Sequence, residues 1–202
     1  LDLDKVLIKG QAVSGWKSAG IDKIVTKSKD NWILEIDHQP ALDVIRKFLG
    51  MEIGTESTNE QFRETTMNFP FKLKLENNST MLVPPISFNF ETKGIMIPRN
   101  IPVGTKLKFT LPPDLNVIDR VIDSAKSVKE DHLDSVDAII IFSCIGRLLT
   151  LGPLAEEEIN RLNEIWNAPM AGFFSYGEFG AAPGETPSFV GTTCSWVALK
   201  EK

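Results

Sequence analysis

Histidine, cysteine and tyrosine are scarce in this chain of 202 residues, with two, two and one respectively. The cysteines, Cys144 and Cys194, lie far apart in apolar surroundings, which excludes a disulfide framework and a CxxC metal or redox motif. A reducing compartment is the expectation. The histidines, His38 and His132, lack HxxxH or HxH spacing, and the acids are scattered over polar helix faces, which argues against a zinc or iron site. Neither a P-loop nor a GxGxxG after a strand occurs, so no cofactor is expected. The longest apolar run, Ala138 to Phe142, falls far short of the ~20 residues that cross a bilayer, and no charged-then-apolar leader opens the chain. These features predict a soluble, cytoplasmic protein without membrane insertion. Lys plus Arg number 22 against 27 Asp plus Glu, a formal charge of -5, and no basic block interleaved with aromatics is present, so nucleic acid is not an expected partner.

What the chain does have is core material. Hydrophobic residues make up 42%, enough for one large domain or two small ones. The opening LDLDKVLIKG has the character of a strand region, as if cut from a longer polypeptide. KIVTKSKDNWILEID predicts a hairpin turning at Ser28 to Asn31, and Pro40 to Leu49 a short helix stopped by Gly50. From Met51 to Thr66 the composition is that of an exposed connection. FPFKLKLENNSTMLV alternates between apolar and charged residues before a turn at Asn77 to Ser79, and ISFNFETKGIMIP and TKLKFTLP continue the pattern, which predicts an antiparallel meander. Ile118, Val121, Ile122, Ala125 and Val128 share one helical face. DAIIIFSCIGRLL is apolar on both faces, as in a strand covered on both sides or set against a partner. Leu154 to Asn167 predicts a surface helix packed through Ile159, Leu162 and Ile165, and MAGFFSYGEFGA and TTCSWVAL predict closing strands. The expected class is α+β, an antiparallel or mixed sheet with about three flanking helices.

Two stretches carry candidate chemistry. In FSCIGRLL the strand delivers Cys144 and Arg147 beside Gly146, which permits close approach of a ligand or of another backbone. A free cysteine there is either a small buried hydrophobe or a pocket residue, and Arg147 makes either a structural ion pair or a ligand contact. In GFFSYGEFGA, strand alternation sets Phe174, Tyr176 and Glu178 on one face. An isolated carboxylate among rings is costly, so Glu178 must reach solvent, pair with a cation such as Arg147, or line a polar pocket. Nucleophilic catalysis by Cys144 would need a base held against it. His38, opening a helix in IDHQPA, and His132, in the polar KEDHLDS, have no evident route to it, and a cysteine-dependent enzyme is the least favoured reading.

These segments resemble the FIST family of sensory domains, specifically its C-terminal half. GWKSAGIDKIVTKSKDNWILEIDHQPALDVIRKFLG is similar to the family's Gly-Trp junction, Val-Thr strand and Pro-Ala helix start. FSCIGRLLTLG resembles its Cys-x-Gly-Arg strand, PMAGFFSYGEFGA its Gly-Phe-x-x-x-Gly-Glu hallmark, and TTCSWVAL its closing strand. The resemblance runs from about residue 15 to the end. It implies that residues 1–20 end a preceding FIST N-type half or form a joining strand, and that 21–202 form the ligand-sensing part. It also implies a signal-input module without catalysis, found beside histidine kinases, cyclic-dinucleotide enzymes and chemoreceptor-type outputs, that binds small ligands with amino acids as candidates. Relatives in F-box proteins imply protein recognition as the alternative. The expected ligand-binding residues are Cys144, Arg147, Phe174, Tyr176 and Glu178, with Arg147 and Glu178 as two poles for an amino acid.

Overall fold

The computed structural model describes residues 2–51, 59–75, 80–111, 114, 116–181, 184 and 187–202. In chain order the elements are β1 Val6–Val13, β2 Ser18–Lys29, β3 Trp32–Ile36, β4 Gln39–Pro40, α1 Ala41–Leu49, α2 Asn59–Thr66, β5 Phe71–Lys74, β6 Thr80–Val83, β7 Ser87–Asn89, β8 Gly94–Met96 and β9 Lys106–Thr110. There follow α3 Asn116–His132, β10 Ala138–Cys144, α4 Ile145–Leu151, α5 Leu154–Trp166, β11 Met170–Ser175, β12 Glu178–Gly180, β13 Ser188–Val190 and β14 Cys194–Glu201. The class is α+β as expected, with five helices rather than three among the described residues. The chain divides into two compact units, residues 17–112 and residues 1–16 with 113–202.

The unit of residues 17–112 holds a sheet in the order β6-β5-β9-β2-β3-β8-β7, with β4 beside β3. The β2–β3 hairpin turns where expected, at Asp30 and Asn31. Ile33 and Ile36 are both fully buried, because register shifts in the hairpin break strict alternation. Helix α1 ends at Gly50, whose φ of 68° suits glycine, and the Met51 N–H bonds back to Arg46 O at 2.9 Å. Pro40 stands one residue before the helix, in β4. The predicted meander is instead two hairpins, β5–β6 and β7–β8, on opposite flanks of a centre formed by β9, β2 and β3. Alternation marks a strand without naming its neighbour. The turn predicted at 77–79 lies outside the described residues.

Of the predicted exposed connection, 52–58 lies outside the described residues, and 59–66 is α2. Its Phe62 is fully buried edge-on to Phe88, with ring centroids 4.5 Å apart. A single apolar residue anchors that helix, too few to show as periodicity. Phe48 of α1 stacks on Phe109 at 4.3 Å over the same core.

The other unit is built on a sheet in the order β1-β14-β10-β11. β14 pairs antiparallel with β1 and β10, while β11 pairs parallel with β10 after a crossover through α4 and α5. All five apolar residues predicted for α3 are buried. Helix α5 packs through Ala155, Glu158, Leu162 and Trp166 rather than through Ile159 and Ile165, and Trp166 meets Trp196 of β14 at 5.4 Å. The shift of face brings an acid inside. A β12–β13 hairpin crosses the opposite side of the sheet, where the Ala12 N–H donates to Ala181 O at 2.8 Å.

Candidate functional site

The strand β10 stops at Cys144 and the chain turns at once into α4, so Arg147 stands on a helix, not on the predicted strand. A run that is apolar on every side is compatible with a buried strand or a buried helix, and only packing separates them. Arg147 is fully buried under the Trp16 ring, 5.5 Å from its centroid. Its Nε donates to Glu158 Oε2 at 3.0 Å, Nη2 bonds Glu158 Oε1 and Val117 O, and Nη1 donates to Ser14 O at 2.5 Å. The expected partner, Glu178, is not the one it takes. Cys194, on the face of the sheet that carries Trp196, faces Glu158, and burial first and then that carboxylate push its thiol well above the ordinary range.

Glu178 lies over the other face. Cys144 is opposite Ser175 on β11, and its N–H donates to Thr193 O at 2.9 Å, so Thr193, Cys144 and Ser175 make a row across adjacent strand ends. All three side chains converge on the Glu178 carboxylate. Ser175 Oγ donates at 2.7 Å and Thr193 Oγ1 at 3.0 Å, while the Thr193 N–H and the Cys144 thiol also face it as donors. Ser195 Oγ extends the network, 3.3 Å from Thr193 Oγ1. No cation bonds Glu178 among the described residues. Burial pushes its carboxyl above the usual value, and the hydroxyl, thiol and amide donors only partly offset this.

The thiol of Cys144 is raised too, first by burial and then by the nearby Glu178 charge. The N–H groups of Thr192, Gly146 and Arg147 are directed at its sulfur. Thr192 holds a φ of 56°, an unusual conformation for a β-branched residue and a strain of the kind that collects at functional sites.

The predicted shared face of Phe174, Tyr176 and Glu178 does not exist, because the strand breaks between β11 and β12. Tyr176 is 93% exposed and Glu178 only 3%. Phe174 lies on the opposite side of β11 from Ser175 by strand alternation. Of the five residues singled out from sequence, Cys144 and Glu178 come together, Phe174 and Tyr176 flank them along the chain, and Arg147 belongs to the pair behind the sheet. Ser175 and Thr193 went unrecognised. The signal for them was hydroxyls inside apolar strands, in GFFS and TTCS. His38 does not open a helix. It sits with Asp37 in a two-residue turn, both at positive φ, between β3 and β4. The side chain of His132 lies outside the described residues.

The Cys-x-Gly-Arg turn and the Gly-Glu hairpin thus meet in one constellation, and a family model described as the FIST C domain matches residues 41–181. The chain belongs to the FIST C domain family. No curated protein and no solved structure matches it. FIST C is a family of sensory domains and not a known enzyme family. Cys144, Ser175 and Glu178 fall inside the FIST C match, and Thr193 follows it. Among the described residues no helix is long and apolar enough to cross a membrane.

Proposed function

We propose that this chain is a non-catalytic signal-input domain that binds a small amine-bearing ligand, amino acids being the first class to try. Occupancy would pass to an output domain or protein such as a histidine kinase in the cytoplasm. One observation carries the reading: a carboxylate 3% exposed, gripped by hydroxyl, thiol and amide donors, with no bonded cation among the described residues. A ligand ammonium supplies the missing charge and favours the ionised form. Ser175 is only half-buried, which supports entry from that side, next to the exposed Tyr176. Arg147 is taken up by Glu158 and two backbone carbonyls, so in this reading it supports the wall behind Cys144 and is not the carboxylate pole first expected. The raised thiol of Cys144, with no imidazole bonded to it among the described residues, supports a binding role over a nucleophilic one. The same reading takes residues 1–20 as the close of an N-type half or a joining strand, tied to residues 194–201 through the β1–β14 pairing.

Calorimetry of the common amino acids and simple primary amines tests this. The parent should bind at least one of them, and Glu178→Gln should lose about 1.5–3 kcal/mol, the scale of a hydrogen bond to a charged group. If no amine binds the parent, the reading fails. A protein-interaction role, as in F-box relatives, draws support from exposed Phe173 and Phe179, and it predicts partner binding indifferent to Glu178→Gln.

A further inference from the structure

The unit of residues 17–112 carries a second constellation, independent of Glu178. Strands β5 and β9 pair with Lys72 opposite Lys108 and Lys74 opposite Lys106. These lysines alternate with buried Phe71, Leu73, Leu107 and Phe109, so all four leave the sheet on its outer face. Directly opposed residues have Cβ atoms about 4.5–5.5 Å apart, and like charges placed so destabilise a sheet. The next pair along lies only about 7 Å away, at ~3.4 Å of rise per residue. Lys108 is relieved by Asp22 at 3.4 Å. Lys72, Lys74 and Lys106 form no ion pair with a carboxylate among the described residues.

An open cleft of about 800 Å³ lies at the end of this ladder, lined by Lys74, Leu75, Arg99, Pro102, Val103 and Lys106 among others. Its size falls within the range of about 300–1,000 Å³ common for small-molecule sites. Arg99 donates to the Met81 thioether, a weak acceptor, which among the described residues leaves most of a guanidinium's capacity unused. No Asp or Glu lines the cleft among the described residues. In a chain of net charge -5, repulsion concentrated at one cleft runs against the overall sign.

We propose that this cleft binds an organic polyphosphate, a small molecule with more than one phosphoryl group. Lys74, Lys106 and Arg99 hold the phosphoryl oxygens, and Pro102 and Val103 cover the organic part. Ammonium and guanidinium groups are the side chains suited to such oxygens, and several linked phosphoryl groups can neutralise opposed lysines that a single anion leaves in conflict. The empty sheet is accordingly less stable than its apolar core allows, and ligand relieves the strain.

The test is calorimetry on the whole chain with ATP, inorganic triphosphate and inorganic phosphate at about 0.15 M ionic strength. Thermal unfolding of the ligand-free parent, Lys74→Gln and Lys106→Gln accompanies it. ATP and triphosphate should bind at least about tenfold more tightly than phosphate, and each substitution should weaken them at least about tenfold, with a shallower salt dependence. The ligand-free variants should melt no lower than the parent, because an opposed charge has gone. Absence of ATP and triphosphate binding overturns the proposal. So do variants that melt lower while binding unchanged, which would make the lysines structural, and so does tighter binding of a single-stranded oligonucleotide than of ATP, which would make this a nucleic-acid surface.

Discussion

Two buried acids in one unit are held by opposite means. Glu158 faces a guanidinium, and its loss would strand that charge in the interior. Glu158→Ala should therefore cost about 3–5 kcal/mol in urea unfolding, while joint replacement of Arg147 and Glu158 by apolar residues of similar volume should cost far less. Equal losses would mean that volume, not charge, sets the cost. Glu178 is held by neutral donors, and burial raises its folded carboxyl above the unfolded value. Folding then favours the protonated form, so its contribution is complete below the unfolded value and is lost as pH rises through the folded one. Glu178→Gln, neutral at every pH, should flatten that decline and exceed the parent in stability at neutral pH. A parent that is the more stable of the two at neutrality would show that the ionised carboxylate is the native form. Cys144 and Cys194, both buried with raised thiols, should react with a thiol reagent more slowly than a free thiol until the protein unfolds.

Helix α5 and strand β11 show what each element contributes to the site. The buried face of α5 runs through Leu162, so Leu162→Ala should cost about 2–5 kcal/mol through the cavity left, against less than about 1 kcal/mol for half-buried Ile159. Comparable losses would restore the face first inferred from the Ile159, Leu162 and Ile165 spacing. β11 is an edge strand, exposed over Ala171 to Phe174, and it depends on a close approach to β10. A side chain at Gly172 would run into the carbonyl oxygen of Ile141. Gly172→Ala should push β11 outward, draw Ser175 away from Glu178, and weaken amine binding and stability together. Unchanged binding would separate the site from β11.

Across the whole chain, residues 17–112 are a continuous segment that lies in sequence between the two parts of the other unit, and its two ends meet. The Leu111 N–H donates to Lys17 O at 2.9 Å, and Ser18 pairs with Thr110. A fragment with adjoining termini and its own core is expected to fold alone. Calorimetry of 17–112 should show one cooperative transition of about 60–80 kcal/mol, the value for ~100 residues, and a broad heat-capacity rise without a peak would show dependence on the rest. The FIST C match, 41–181, crosses from one unit into the other.

Local pattern sufficed for much of this. The β2–β3 hairpin, α1 with its glycine stop, the buried face of α3 and the α+β class follow from periodicity and turn chemistry, which act over a few residues. The motifs around Cys144 and Glu178 likewise marked the family. Partners did not follow. Arg147 was free to meet either Glu158 or Glu178 until the crossover through α4 and α5 set it behind the sheet, because an ion pair needs proximity in space and charge alone confers none. Ser175 and Thr193 became ligands of Glu178 only when parallel β11 and antiparallel β14 fell on either side of β10. The lysines of KLKLE and TKLKF looked like two wet strand faces, and register across β5 and β9 turned them into opposed charges. Strand order, register and helix face are set by the burial of distant residues against one another, and no short stretch of sequence holds that information.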